Sequence, residues 1–294
     1  MTSADNITWA GTFTPTANTE DASNTLSLAT SYTDTAGNTG PAATTANYEV
    51  ETLVPTVNSV AISSASGVQN SLLNAGDNVS VTATFSESVI VDNASGTPTL
   101  TLVVGSDNRT STYTSGSGST PLVFQYTIQA GETDADGISI EANTLALNSG
   151  TIRDAAGNNA TITYSSVSAN TSYKVDNTAP SVDNFTLSDT ALKAGDNATV
   201  TLVFSEAVAS FSSSADITVA NGTLAVMTST DNITWAGTFT PTANTEDDNN
   251  TLSLATSYTD TAGNTGPAAT TLNYVVDTTA PTVSSISTTA DNQS

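Results

Sequence analysis

Carboxylates are the one reactive side chain this sequence supplies in quantity. There are 28 Asp and Glu against 4 Lys and Arg, a formal charge of -24, and neither cysteine nor histidine occurs. Zinc sites, thiol nucleophiles and Ser-His-Asp arrangements are therefore excluded. Nucleic acid is excluded because nothing could neutralise its phosphates, and anionic membrane surfaces likewise lack the basic segments they attract. What the composition suits is a hard divalent cation such as Ca2+, or solubility through self-repulsion. The acids sit in recurring places. Asp-x-Ala-Gly-Asn occurs at Asp34 to Asn38, Asp154 to Asn158 and Asp260 to Asn264. Glu87 and Glu206 each close a Phe-Ser-Glu run. Glu51, Asp176 and Asp277 each follow a valine in the proline-bearing segments VETLVPTV (50–57), VDNTAPSV (175–182) and VDTTAPTV (276–283).

The elements that must position these acids are strands. Thr, Ser, Ala, Asn and Gly dominate, a composition of strands and turns rather than helices, and 37% apolar content is enough for a core. In NVSVTATFSE (78–87), Val79, Val81, Ala83 and Phe85 alternate with Ser and Thr, and NATVTLVFSE (197–206) repeats the pattern. Ile233, Trp235 and Phe239 alternate in the same way, as do Leu252 and Leu254. Period-two patterning punctuated by Gly, Asn and Asp turns predicts an all-β fold of tandem antiparallel, Greek-key, immunoglobulin-like sandwiches, with about seven strands in residues 179–280. Trp9 and Trp235 are expected in the core on this alternation rather than as sugar-stacking platforms. No apolar run approaches the roughly 20 residues of a membrane span, and no signal peptide opens the sequence.

An internal repeat sets the organisation. Residues 1–50 recur as 227–276, with roughly 45 of the 50 positions matching. The proline-bearing segments read as linkers, because proline interrupts a ladder and fixes an extended connection. They divide the chain into 1–54, the C-terminal half of one repeat type; 55–178, a full domain; 179–280, a full domain of the first type; and 281–294, the first strand of a further repeat. Met1 aligns with the internal Met227, so an excerpt of a longer array is expected.

Residues 179–280, with AGDNATVTLVFSEAV, SYTDTAGNTG and VDTTAPTV, resemble the bacterial immunoglobulin-like tandem repeats of giant RTX-type surface adhesins. Residues 55–178, with NAGDNVSVTATFSESV, FQYTIQAGETDADGISI and GTIRDAAGNN, resemble the swarming-motility-type repeat found in the same proteins. The resemblance implies extracellular extender regions, often stiffened by calcium, that hold a terminal binding domain away from a bacterial cell.

In such a sandwich the loops carrying Glu87 or Glu206 and the Asp-x-Ala-Gly-Asn turn share the end where the domain's own linker enters. Glu51, Glu87, Asp154 and Asn158 are thus expected to gather at one junction, and Asp176, Glu206, Asp260 and Asn264 at the next. Asp34 and Asp277 hold the matching places at either end. Three carboxylates with Asn and backbone oxygens suit a six- to eight-coordinate Ca2+ site. The competing reading is that each Asp only caps its turn, with Gly supplying positive φ. Asp134 and Asp136 in Asp-Ala-Asp-Gly form a further candidate pair, against which stands a plain turn, since no distal bidentate Glu follows. Asp77 and Asp196 are expected to shape turns at the opposite end. Paired carboxylates can run glycoside hydrolysis, but these recur once per domain, so no enzymatic role is expected. The expected function is a stalk whose partners are neighbouring repeats of the same chain. A filament or surface-layer block sharing strands between copies, and a ligand-binding adhesive module, are the alternatives.

Overall fold

The computed structural model describes residues 1–289. Strands make up nearly all of the regular structure, with one short helix at Ser213–Asp216. The alternation read from the sequence becomes alternating burial. Along Asn78–Asp92, Val79, Val81, Ala83 and Phe85 are buried while Ser80, Thr82 and Thr84 are half-buried. Along Ala198–Phe204 the buried set is Ala198, Val200, Leu202 and Phe204. Successive side chains of a strand point to opposite faces, so an apolar residue at every second position gives a strand one core face.

The described residues fall into two compact units. The first comprises Met1–Ser66, Asn78–Thr127 and Asp136–Asn170. Its main sheet is antiparallel, in the order Leu145–Ala146, Thr99–Val104, Asp107–Ser115, Ser119–Thr127, Asn78–Asp92, and the last of these also pairs with Val57–Ser66 and Thr151–Arg153. Asn78–Asp92 runs past Glu87 instead of ending there, because Ile90 to Asp92 find new partners in Thr151–Arg153. The same unit holds residues 1–54, where Glu20–Asn24 pairs with Tyr48–Glu51 and Ser27–Leu28 with Ala43–Thr44.

The second unit comprises Gly67–Asp77, Ile128–Ala135 and Thr171 onward. Lys174–Asp176 lies between Thr133–Asp134 and Leu72–Leu73, the latter pair parallel. Beyond it, one sheet runs Val182–Leu187, Ala198–Phe204, Thr234–Pro241, Gly222–Leu224. Two shorter sheets, built on Tyr274–Asp277 and on Leu252–Leu254, complete the sandwich. Phe185, Val200 and Phe239 from the first sheet join Leu192, Leu252, Tyr258 and Tyr274 in one buried cluster. The first strand of this sandwich is split. Val182–Leu187 pairs antiparallel with Ala198–Phe204, and Ala191–Lys193 crosses to pair parallel with Tyr274–Asp277. Asp196 Oδ2 accepts the Lys193 N–H at 3.1 Å and Asp77 Oδ2 the Asn74 N–H at 2.9 Å, so both acids shape their turns.

Trp235 is half-buried against this cluster, its ring 4.9 Å from Phe211. Trp9 departs from the expectation and is exposed. The residues that cover Trp235 come from 182–226, and no described residues play that part for 1–54. Residues 281–289 form no strand, and 290–294 of the expected further repeat lie outside the described residues.

Candidate cation sites at the linkers

Each Asp-x-Ala-Gly-Asn turn organises itself through its aspartate. Asp260 Oδ1 accepts the N–H of Ala262 at 2.8 Å and of Asn264 at 2.9 Å, and Oδ2 accepts the Asn264 amide at 2.8 Å. Asp154 holds Asn158 in the same way, at 2.8 and 2.7 Å, and Asp34 holds Asn38, at 2.8 Å for both. Gly37, Gly157 and Gly263 adopt φ of +91°, +98° and +93°, a region that L side chains rarely enter. Each aspartate therefore caps its own turn at all three copies, and the carboxylate is fixed in position by its donors.

In the second unit this turn meets two further acids. Asp176 ends the strand Lys174–Asp176, and Glu206 follows Phe204 at the end of Ala198–Phe204. One carboxylate oxygen from each of Asp176, Glu206 and Asp260 lies within 4.8 Å of the others, with Asp260 buried and the other two half-buried. Among the described residues this is the one group of three so placed. Burial, then the Asp176 and Asp260 charges, push Glu206 above the usual carboxylate range. Such a shift marks negative charge gathered where solvent is partly excluded.

The first-unit counterpart is looser. Glu49, Glu51, Glu87 and Asp154 line one open cleft of about 460 Å³ with Ser88, Ala155 and Ala156. Glu87 Oε1 is buried without a hydrogen-bond partner. Burial, then Asp154, Glu51 and Glu20, push Glu87 up. Glu51 carries one methylene more than Asp176, and its Oε1 accepts the Leu53 N–H at 2.7 Å. Glu20 and Glu49 had not been expected. The usable signal is the strand register, which sets Glu20 opposite Glu51, while Glu49 shares a strand face with Glu51.

Asn158 and Asn264 use their amide nitrogens as ties. Asn264 Nδ2 donates to the carbonyls of Asp176 at 2.8 Å and Thr178 at 3.3 Å, besides Asp260. Asn158 Nδ2 reaches the carbonyls of Glu51 and Leu53 at 3.2 and 3.4 Å. The residue after each linker acid provides a second tie, toward the preceding repeat. Thr52 Oγ1 accepts the Thr19 N–H and donates to the Thr16 carbonyl, and Thr278 does the same with Thr245 and Thr242. Asn177 accepts the Ala75 N–H at 2.6 Å and donates to the Glu132 carbonyl at 2.8 Å. Asn70 and Asn74 add two more bonds, their amides donating to the carbonyls of Thr261 and Ala262, both at 2.9 Å.

The remaining candidates stand apart. Asp34 is exposed, and the Asn38 side chain and N–H hold it below the usual range. Asp277 is exposed at the end of Tyr274–Asp277, where it caps the Thr279 N–H at 3.2 Å. Asp134 is buried on Thr133–Asp134, and Asp136 is exposed.

A family model described as a bacterial Ig-like domain matches residues 1–50 and 176–276, just over half of the chain. These are the two copies of the repeat read from the sequence. No curated protein matches the chain.

Proposed function

The chain belongs to the bacterial Ig-like domain family, whose members are structural or adhesive modules, typically non-enzymatic and usually extracellular; from that membership we propose that it is an extender segment of a large bacterial surface adhesin, stiffened by Ca2+ at the junctions between repeats. The working division is 1–54, 55–178, 179–280 and 281–294, with 55–178 as the swarming-motility-type repeat.

The observation that carries this reading is the convergence of Asp176, Glu206 and Asp260. Each comes from a different part of the chain, namely the linker, the segment just after Ala198–Phe204 and the Asp-x-Ala-Gly-Asn turn. Oxygens bound to one Ca2+ at about 2.4 Å are at most about 4.8 Å apart, and the oxygens of this group lie within that limit of one another. Hard oxygen donors, no histidine and no cysteine suit Ca2+ over transition metals. When bound, the ion supplies the positive charge that offsets three converging carboxylates. The protein's own part is orientation. Asp260 is held by three donors, Asn264 ties the turn to the linker backbone, and Asn177 ties the linker to the repeat before it. A linker held from both sides transmits pull along the array instead of swivelling. In the first unit, Glu51, Glu87 and Asp154 form the weaker counterpart, consistent with the longer Asn158 bonds.

The test is small-angle scattering of the whole chain with Ca2+ and with chelator, alongside calorimetric titration of Ca2+ into wild type and Asp260→Asn. A larger maximum dimension in Ca2+ and heat of binding lost in the variant support the reading. An unchanged dimension together with no binding heat in wild type overturns it.

A further inference from the structure

Asn221 and Gly222 are the one Asn-Gly pair in the sequence, and the fold asks for both residues. Asn221 leads the chain into the strand Gly222–Leu224 with φ of +47°, a left-handed conformation that asparagine tolerates better than most residues. Gly222 lies against the Phe239 ring, and a Cβ there would come within 2.2 Å of it. Packing therefore sets, directly after an asparagine, the one residue type with no side chain to shield its own N–H. Gly222–Leu224 is also the end strand of its sheet, three residues long and paired there with Thr234–Pro241. Short edge strands are among the first parts of a fold to open.

In the folded repeat the Asn221 side chain is tied down. Its Nδ2 donates to Asp247 Oδ2 and to Asn250 Oδ1, both at 2.7 Å, and its backbone carbonyl accepts the Thr242 N–H at 2.9 Å. Asn250 is 1% exposed and is not free to turn toward a different neighbour. Its own Nδ2 donates to the carbonyls of Asp247 at 2.8 Å and Tyr274 at 3.1 Å. Asn24 makes the same two bonds, to Asp21 and Tyr48, in the other copy of this sequence, so they belong to the local fold. The oxygen that Asn250 presents to position 221 is thereby fixed as an acceptor, and it needs a donor there.

We propose that Asn221-Gly222 is a self-reacting modification site, closed in the folded repeat and converted from amide to carboxylate when Gly222–Leu224 is held open. The Gly222 nitrogen gives up its proton and attacks Asn221 Cγ. A new C–N bond closes a five-membered imide, the Cγ–Nδ2 bond breaks, and the nitrogen leaves with that proton as ammonia. Water then adds at either imide carbonyl and opens the ring to aspartate or to its β-linked isomer. Nothing is oxidised or reduced, and water is the only co-reactant. The folded state blocks the first step, because the Asn221 amide must leave Asp247 and Asn250 before Cγ can turn toward the Gly222 nitrogen. The product does not fit the closed repeat. A carboxylate at 221 offers no N–H, leaves the buried Asn250 oxygen unpaired and faces the Asp247 carboxylate. Opening is thus recorded in the covalent structure. The reaction needs no cation and no partner, so it stands or falls independently of the Ca2+ reading.

The test incubates the whole chain at neutral pH in native buffer and in unfolding urea, with peptide mapping by mass spectrometry and separation of the isoaspartyl form. Conversion at Asn221 is at least about tenfold faster in urea than in the native chain, as expected of a site that reacts from the open state. Gly222→Ala, compared in urea so that its packing defect has no bearing, slows the conversion. In native buffer Asp247→Ala raises conversion at Asn221, whereas Asp248→Ala at the exposed neighbour leaves it at the wild-type rate. Asn221→Asp, which carries the product residue, melts below wild type. Equal rates in the folded and unfolded chain overturn the closure, and absence of conversion at Asn221 in urea overturns the site. An Asn221→Asp chain that melts with wild type overturns the lasting record.

Discussion

Glu206→Gln separates the effect of gathered charge from that of shape. The substitution keeps the side-chain outline and removes one of three negative charges whose oxygens lie within 4.8 Å. A pair of unit charges at that distance repels by about 3.5 kcal/mol at an effective dielectric of 20 and by about 0.9 kcal/mol in bulk water. Glu206 and Asp176 are half-exposed, so the solvent-screened end applies. Relief of two such pairs is then worth about 1–2 kcal/mol in chelator. For a repeat of about 100 residues this raises the melting midpoint by roughly 4–8 °C per kcal/mol. The pH dependence has a definite sign. Glu206 is pushed above its ordinary value of 4.5 by burial, Asp176 and Asp260, so the folded state binds its proton more tightly than the unfolded state. The penalty is absent below the ordinary value and grows as pH rises through the folded pKa. The gap between variant and wild type is therefore near zero at about pH 4 and full at pH 7. Calcium changes the ranking. An extracellular-type affinity of about 10⁻⁴ to 10⁻³ M gives wild type about 1.4–2.7 kcal/mol at about 10 mM Ca2+. With one ligand fewer the variant gains less, so the gap closes or inverts. Differential scanning calorimetry of both proteins, in chelator and in Ca2+, at pH 4 and 7, reads all four corners. An equal gain from the substitution in chelator and in Ca2+ would refute the reasoning.

Phe239→Ala costs about 3–5 kcal/mol, as a fully buried ring, whereas Phe13→Ala at the equivalent exposed position stays within about 0.5 kcal/mol; urea denaturation compares them. Asp260→Ala strands two N–H groups and the Asn264 amide, lowering stability by about 1–3 kcal/mol and abolishing the calcium-dependent rise in the same melt. Asn264→Ala removes the bonds to the Asp176 and Thr178 carbonyls at a cost of about 1 kcal/mol. Limited proteolysis then cuts sooner within 176–181, even in saturating Ca2+. Glu87→Gln stabilises the metal-free protein at pH 7 in the sense of Glu206→Gln, since burial and like charges also push Glu87 up.

Strand identity was legible residue by residue, because alternating side chains report directly on which face is buried. Val79 to Phe85 and Ala198 to Phe204 needed no coordinates. The repeat was legible as well, and so was the approach of Asp176, Glu206 and Asp260 to one another, because the connectivity of a sandwich brings those loop ends to one side. Other features depend on partners far away in sequence and were hidden. Trp9 and Trp235 share a local sequence and differ in exposure because only one has strands 182–204 beside it. Glu87 lies within a strand and Glu206 beyond one because only Asn78–Asp92 is extended by Thr151–Arg153. The amide ties from Asn177, Asn264, Asn70 and Asn74 reach backbone carbonyls, which carry no sequence signature at all. Local pattern chose the strands and the turns. Only the packed chain could decide which identical face is covered and how closely three like charges approach, since both are set by distances across long stretches of chain.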